Sequence, residues 1–347
     1  MTRKEMPELA TRNDFALVQL NDRSFIAASA PFAKSSEPAK DGISFYTNDF
    51  LLSDCKPWRI PNNWVRFNSL EELDLTSSSI SGLQWVEPVY EDFRKIFKSI
   101  ELELEQGELV KIVPVISSSA DLTDNASIAE SLIRSVKAGG QSVSLCAFQE
   151  NGSGFTAMTP ERLLKINGRD LRTMALAGTS TASESETFME DSKERYEHNL
   201  VVNVLRRTLS DFGIVEESGR EIMDLGAIIH FLTEFRVSLS DDPVINDLIC
   251  ALHPTPAVGV VPRNERFLGE VFEQRLEADI PAKFGAPFGV KYGERFESFV
   301  LIRGLFWDQN RAYLPSGCGV VRGSILEKEW LELSLKRNWV KEVFCLA

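Results

Sequence analysis

Apolar positions recur along this chain with two periods, and the switches between them mark its elements. Alternation over 15–20 and again over 24–29, around Asn21-Asp22-Arg23, predicts a β-hairpin. From 33 to 85 the pattern dissolves into Ser, Pro and Asn, and no element is assigned. A helical period then runs from about 87 to 106 and stops at Gly107, followed by a strand over 109–117. A second helix is predicted over about 127–137, ended by Gly139-Gly140. Strands follow at 142–149, 154–156, 162–166 and 171–176, with Asn167-Gly168 as a hairpin turn. After a Thr/Ser/Glu-rich stretch at 179–187 comes a long helix, then strand character over 222–239 and a helix over 243–252. Pro254-Thr255-Pro256 forms a stiff loop, and a helix is expected near 265–274. Strands over 297–307 and 311–314 flank Asp308-Gln309-Asn310, and a glycine-rich turn at 316–319 leads into a final helix.

Strands in antiparallel-looking runs with helices between them indicate an α+β fold. No internal repeat or linker interrupts the chain, so one large domain is expected.

Two of the helices carry acidic pairs where the apolar stripe calls for hydrophobic residues. Glu194 and Glu197 are three residues apart, as are Glu329 and Glu332, so each pair leans over one helix face. From Glu197 the stripe continues through Val201, Val204 and Leu205; from Glu332 it continues through Leu335, Trp339 and Val343. Carboxylates on a core-facing stripe must be protonated, paired or bound to a cation. If the two helices meet, a hard divalent ion would satisfy both pairs.

Charge narrows the partners. With 38 basic against 51 acidic residues and a net charge of −13, and no basic run, nucleic acid and anionic membranes are disfavoured. The five cysteines are odd in number and widely spaced, so they read as reduced and structural. No segment approaches the length of a membrane span, and a cytoplasmic protein is expected.

Several motifs occur in a telling order. They are Thr159-Pro160-Glu161-Arg162-Leu163, Ala175-Leu176-Ala177-Gly178-Thr179, and the first acidic helix. Next come His253-Pro254-Thr255-Pro256-Ala257-Val258-Gly259 with Pro262-Arg263, and Ile302-Arg303. Last are Gly317-Cys318-Gly319-Val320-Val321 with Gly323-Ser324, and Glu329-Trp330-Leu331-Glu332 with Lys336. Over roughly 87–347 the chain thus resembles the chorismate-utilising enzymes, which include anthranilate synthase component I, isochorismate synthase and salicylate synthase. Residues 1–86 carry no such motif and are read as a divergent part of the same domain.

The resemblance implies two large, mostly antiparallel sheets packed together with helices outside. It implies Mg2+ held by Glu197 and Glu332, with Glu194 and Glu329 contacting it through water. An oxygen-only donor set and the lack of a Cys/His cluster agree with magnesium over zinc. Lys111, in Gly107-Glu108-Leu109-Val110-Lys111-Ile112-Val113, resembles the base that activates water in the water-using members. Its apolar strand would strip hydration from the ammonium and favour the neutral amine.

Glu161 resembles the general acid; read alone it would be a strand-edge glutamate paired with Arg162. Leu176 matches the apolar position of water-using members, within the segment Leu176, Ala177, Gly178 and Thr179 that borders the substrate. His253 lies at the family's histidine near the ring carboxylate. Arg263 and Arg303 resemble groups that grip the enolpyruvyl carboxylate. The loop of Gly317 and Gly319 would offer backbone N–H groups, with Lys336 beside it. Phe284, in Phe284-Gly285-Ala286, replaces the family's tyrosine. Other departures are Ile116 for an arginine, Val260 for a glycine, and Ile325-Leu326 for Asp-Pro.

The expectation is an Mg2+-dependent isochorismate synthase acting on chorismate as a monomer without an amidotransferase partner. Salicylate synthase, anthranilate synthase component I and a non-catalytic chorismate-binding homologue remain as alternatives.

Overall fold

The alternation that opens the chain closes into the expected hairpin, Phe15–Gln19 against Phe25–Ser35, with Phe15 opposite Ser29. The computed structural model describes residues 14–73, 82–122, 128–136 and 142–346. Among these, strands join into one 16-stranded sheet in which every pairing is antiparallel. One half runs from Gly213–Glu217 through Ile228–Leu239, Asp170–Thr181, Arg162–Asn167, Arg295–Val300 and Pro287–Tyr292 to Ile43–Thr47. Trp58–Phe67 and Phe25–Ser35 connect it to the other half. That half continues through Phe15–Gln19, Ser144–Glu150, Ser153–Thr159, Gly304–Trp307 and Arg311–Gly317 to Val115–Asp121.

The two halves face each other. Phe45, Phe288 and Phe299 from one side meet Ala16, Phe148, Phe155 and Phe306 from the other in a shared core. Phe155 lies edge-on to Phe288 at 5.0 Å and packs on Phe148 and Phe306 at 6.2 and 5.8 Å. Helices cover the outer faces: Tyr90–Gln106, Ser192–Ser210 and Ile245–Leu252 on the first half, Ile128–Ser135 on the second. The two sheets implied by the motifs are therefore two halves of one sheet, folded over where Phe25–Ser35 carries a bulge between Ser29 and Phe32.

Several boundaries differ from the sequence expectation. The stretch 33–85 was assigned no element, yet it holds two strands at the middle of the sheet, Ile43–Thr47 and Trp58–Phe67; residues 74–81 lie outside the described part. Pro287–Tyr292 is a further strand. The predicted strand at 109–117 breaks at Val113-Pro114, because proline cannot donate to the ladder. Lys111–Ile112 joins a separate three-stranded sheet between Val260–Val261 and Val320–Val321, while Val115–Asp121 edges the large one. The predicted strand at 297–307 is interrupted at Arg303, whose φ is +57°. The helix at Ile128–Ser135 matches its prediction, whose ends fall outside the described residues.

Phe155 is fully buried among three phenylalanine rings. Phe155→Ala is expected to destabilise the protein by about 3–5 kcal/mol, read as a lower midpoint in urea unfolding.

Candidate active site

The two acidic helices do meet, and they do so at one end of a cavity walled by Val113, Glu161, Glu197, Arg303 and Glu332. Asp191 caps the Ser192–Ser210 helix, its Oδ1 accepting from the amides of Lys193 (2.9 Å) and Glu194 (3.0 Å). This fixes the first turn and turns Glu194 and Glu197 inward. Glu194 Oε2 accepts the Thr179 amide at 2.8 Å. That contact needs the chain to bulge between Ala177 and Thr179, and Gly178 allows it with φ +78°. From the Leu326–Val343 helix, Glu332 reaches the cavity wall, whereas the buried stripe is Glu329, Leu333, Arg337 and Val340. The predicted stripe through Leu335, Trp339 and Val343 is only half-buried.

Lys111 is fully buried, and its Nζ lies 2.9 Å from Glu197 Oε1. Gly319 is the residue that lets them meet: a Cβ there would overlap Glu197 Oε1 and lie 2.9 Å from Lys111 Cε. Burial pushes the Glu197 carboxyl up, but Lys111 and Lys193 more than offset this and hold it at about 2. Glu194 and Glu329 go the other way. Burial, only partly countered by Lys193, together with repulsion from neighbouring glutamates, raises each to about 7.

Glu161 is buried on the cavity wall, with Oε1 accepting from Thr255 Oγ1 at 3.0 Å. Desolvation raises it to about 7 despite that bond and the nearby Lys111, so it keeps its proton near neutrality. It is not paired with Arg162, which turns to Glu234 at 2.9 Å. Arg303, held at positive φ, lies on the same wall; burial lowers its pKa to about 10. Its Nη2 donates to His230 Nε2 at 2.8 Å, whereas Nη1 is buried with no partner among the described residues. His230 therefore carries its proton on Nδ1, which donates to the Gly178 carbonyl at 3.0 Å. Burial and the Arg303 charge keep it neutral. Lys336 Nζ donates to the Gly317 carbonyl at 2.7 Å and pairs with Glu332 at 2.5 Å.

Leu176, Ala177, Gly178, Thr179, Phe284, Gly317, Gly319 and Lys336 all reach this cavity. Phe284 makes its part of the wall apolar and packs edge-on to Phe306 at 5.8 Å. The other departures are accommodated: Val260 is buried opposite Ile112 in the small sheet, and Ile116 joins the core. Ile325 starts its helix without a side-chain cap.

Two residues expected at the substrate are placed elsewhere. Arg263 points away from the cavity and donates to the carbonyls of His253 (2.8 Å) and Cys250 (3.3 Å). A guanidinium is drawn there by the unsatisfied carbonyls at the C-terminal end of the Ile245–Leu252 helix. His253 is buried behind the wall, with Nε2 at 2.8 Å from the Phe50 carbonyl. Both shape the turn that presents Thr255 to Glu161.

Two residues at the site escaped the sequence reading. His230 sits in an apolar strand, Ile229-His230-Phe231, where a histidine looks like filler. Lys193 immediately precedes the first acidic pair. Its Nζ lies 2.9 Å from Glu194 Oε1, 3.3 Å from Glu197 Oε2 and 2.9 Å from Glu329 Oε1. Its four-residue spacing to Glu197 was the available signal.

As they stand, no three acidic, His or Cys side chains among the described residues form a metal cage. The donor chemistry nevertheless fits a hard divalent cation. All four groups are carboxylates from two facing helices, and Glu329 Oε2 is buried without a partner among the described residues.

Comparison with known proteins bears on the family and the fold. A family model described as chorismate binding enzyme matches residues 51–344. The chain belongs to that family. The match begins upstream of the motifs, which start near residue 107. The chain is 33% identical over 209 residues to the salicylate biosynthesis isochorismate synthase of Pseudomonas aeruginosa, covering 57% of this chain and 43% of the relative. To isochorismate synthase MenF of Haemophilus influenzae it is 28% identical over 255 residues, covering 70% and 58%. It thus spans about half the length of these curated relatives.

Among solved structures, the fold resembles the putative 2,3-dihydroxybenzoate-specific isochorismate synthase DhbC of Bacillus anthracis. The TM-score is 0.78 at 19% identity, covering 97% of each chain. Escherichia coli MenF gives 0.78 at 17%, covering 99% of this chain and 92% of that one. No helix among the described residues is long and apolar enough to cross a membrane.

Removing one partner of a buried ion pair strands the other charge. Lys111→Met is therefore expected to lower stability by about 3–5 kcal/mol in urea unfolding. The Lys111→Met/Glu197→Gln double variant should recover much of that loss. A strictly additive double-mutant cycle would contradict the pairing.

Proposed function

We propose that this protein is an Mg2+-dependent isochorismate synthase, converting chorismate to isochorismate by water attack at ring carbon 2 with loss of the carbon 4 hydroxyl. The observation that carries the reading is a single cavity lined by a proton-retaining Glu161, by Arg303 with a guanidinium nitrogen that has no partner among the described residues, and by Glu197, which is ion-paired to the buried Lys111 behind it. The names of its relatives support the same reaction class.

Lys111 is an ammonium in its ion pair with Glu197, so in this reading it must leave that pair and lose its proton before it can take one from the attacking water; as the new C2–O bond forms, both ring double bonds shift one position toward carbon 4. Glu161 gives its proton to the departing C4 hydroxyl, which leaves as water. One water enters and one departs, so the reaction is an isomerisation. A buried carboxyl near 7 suits a general acid working close to neutral pH. Arg303 Nη1, without a partner among the described residues, offers a charge-assisted donor to a substrate carboxylate. The backbone N–H groups of the 317–319 turn add neutral donors. Leu176 and Phe284 keep the adjoining walls apolar. Glu197 and Glu332 would hold Mg2+, with Glu194 and Glu329 acting through water, and the ion would offset the charge of the ring carboxylate. Cytoplasmic location and action without an amidotransferase belong to the same reading.

Incubation of purified protein with chorismate and Mg2+, followed by chromatography, tests the proposal. Isochorismate as sole product is expected. Salicylate with pyruvate would reassign the protein as a salicylate synthase, anthranilate formed only with ammonia would move it to the amino branch, and unchanged chorismate would end every enzymatic reading.

The acid role also fixes a pH dependence. Glu161 must be protonated to act, so kcat should fall as pH rises through about 7. Glu161→Gln should cost roughly 10²–10⁴-fold in kcat and remove that limb of the profile. A profile unchanged in the variant would refute the assignment.

A further inference from the structure

Lys193 occupies the place in the carboxylate cluster where a bound ion would be expected. Its ammonium lies within ion-pair distance of Glu194 and Glu197 on its own helix and of Glu329 on the facing helix. The charges around it are unequally matched. Lys111 is committed to Glu197 at 2.9 Å and Lys336 to Glu332 at 2.5 Å. Glu194 and Glu329 are left to share Lys193, one cation for two carboxyl groups, and Glu329 Oε2 is buried with no partner among the described residues. A divalent ion would balance that pair of carboxylates, whereas a monovalent ammonium cannot.

The surroundings give the lysine somewhere to go. An outer cleft lined by Ser180, Thr187, Lys193 and Lys328 adjoins the inner cavity, and Thr179 and Glu332 line both. The cluster lies where the two spaces meet. Lys193 is only partly exposed, but its four-carbon stem can swing its head into the outer cleft, where water can solvate it.

We propose that Lys193 is a resident counter-cation that a divalent ion must displace. It joins the two acidic helices when no ion is bound, and its competition weakens metal binding in the substrate-free protein. The inference rests on the metal reading of the four glutamates and adds to it a residue that tunes affinity from within the cluster.

The test is direct metal binding to the full chain without chorismate. Mn2+ binding is followed by the loss of the free-ion electron paramagnetic resonance signal, and Mg2+ binding by calorimetry. Lys193→Met should bind either ion on the order of tenfold more tightly than wild type. Lys193→Arg, which keeps the charge, should stay near the wild-type affinity. In EDTA, Lys193→Met should also melt below wild type and recover with excess Mg2+, a rescue that a purely structural lysine would not show. Wild-type binding with unchanged or weaker affinity in Lys193→Met would overturn the competition alone. Absence of binding to both proteins would overturn the metal reading itself, and this inference with it.

Discussion

The contact between Lys111 and Glu197 is the constraint around which the site is arranged. It joins a two-residue strand in a small side sheet to the first turns of a long helix, elements that share no backbone ladder. It exists only because residue 319 has no side chain. Burying an ammonium and a carboxylate together costs desolvation that the pair must repay through close geometry. That requirement sets the position of the Val320–Val321 strand, of the acidic helix and of the cavity edge between them. Lys193 then falls among the remaining carboxylates. The four carboxylates of the site are thus met by three lysines, Lys111, Lys193 and Lys336.

Where the fold was legible, a local chemical signal existed. Asn21-Asp22-Arg23 between alternating runs gave the first hairpin, and Gly107, with φ +83°, stopped the helix ahead of it as expected. The central strands gave no such signal. Ile43–Thr47 is buried on both faces, so it does not alternate, and Trp58–Phe67 contains Pro61 and two asparagines that read as loop. The break at Arg303 was hidden because Phe299 to Trp307 is almost uniformly apolar. Only Gly304, whose missing Cβ admits Ala157 and Thr156 of the neighbouring strand, hints at the crowding there.

Much of the site could be read as membership in a cavity, because the motifs bring their own spacing. Glu161, Glu197, Arg303, Glu332 and the glycines reach one space although they come from distant segments. What the motifs could not convey was the pairing among them. The acidic pairs were legible as charges needing a partner, but whether an ion or Lys193 supplies it depends on how two helices face one another. Arg263 shows the opposite failure. Its position in the motif suggested a carboxylate ligand, whereas the nearby helix end offers it two carbonyls at lower cost than a cavity would. His230 had no signal beyond its rarity: the chain has three histidines, and all three are buried and held neutral by desolvation.

The order of strands in the sheet carries a consequence for how the chain acquires its shape. Ile43–Thr47 pairs with Pro287–Tyr292, and Val115–Asp121 with Arg311–Gly317. Each of these two early strands therefore lacks one of its sheet neighbours until a segment far later in the sequence has been made. Until then, apolar strand edges stand open, and loop closure must be paid before most contacts reward it. The site shares that dependence, because Glu329 and Glu332 lie on the Leu326–Val343 helix, far along the chain from Lys111 and Glu161.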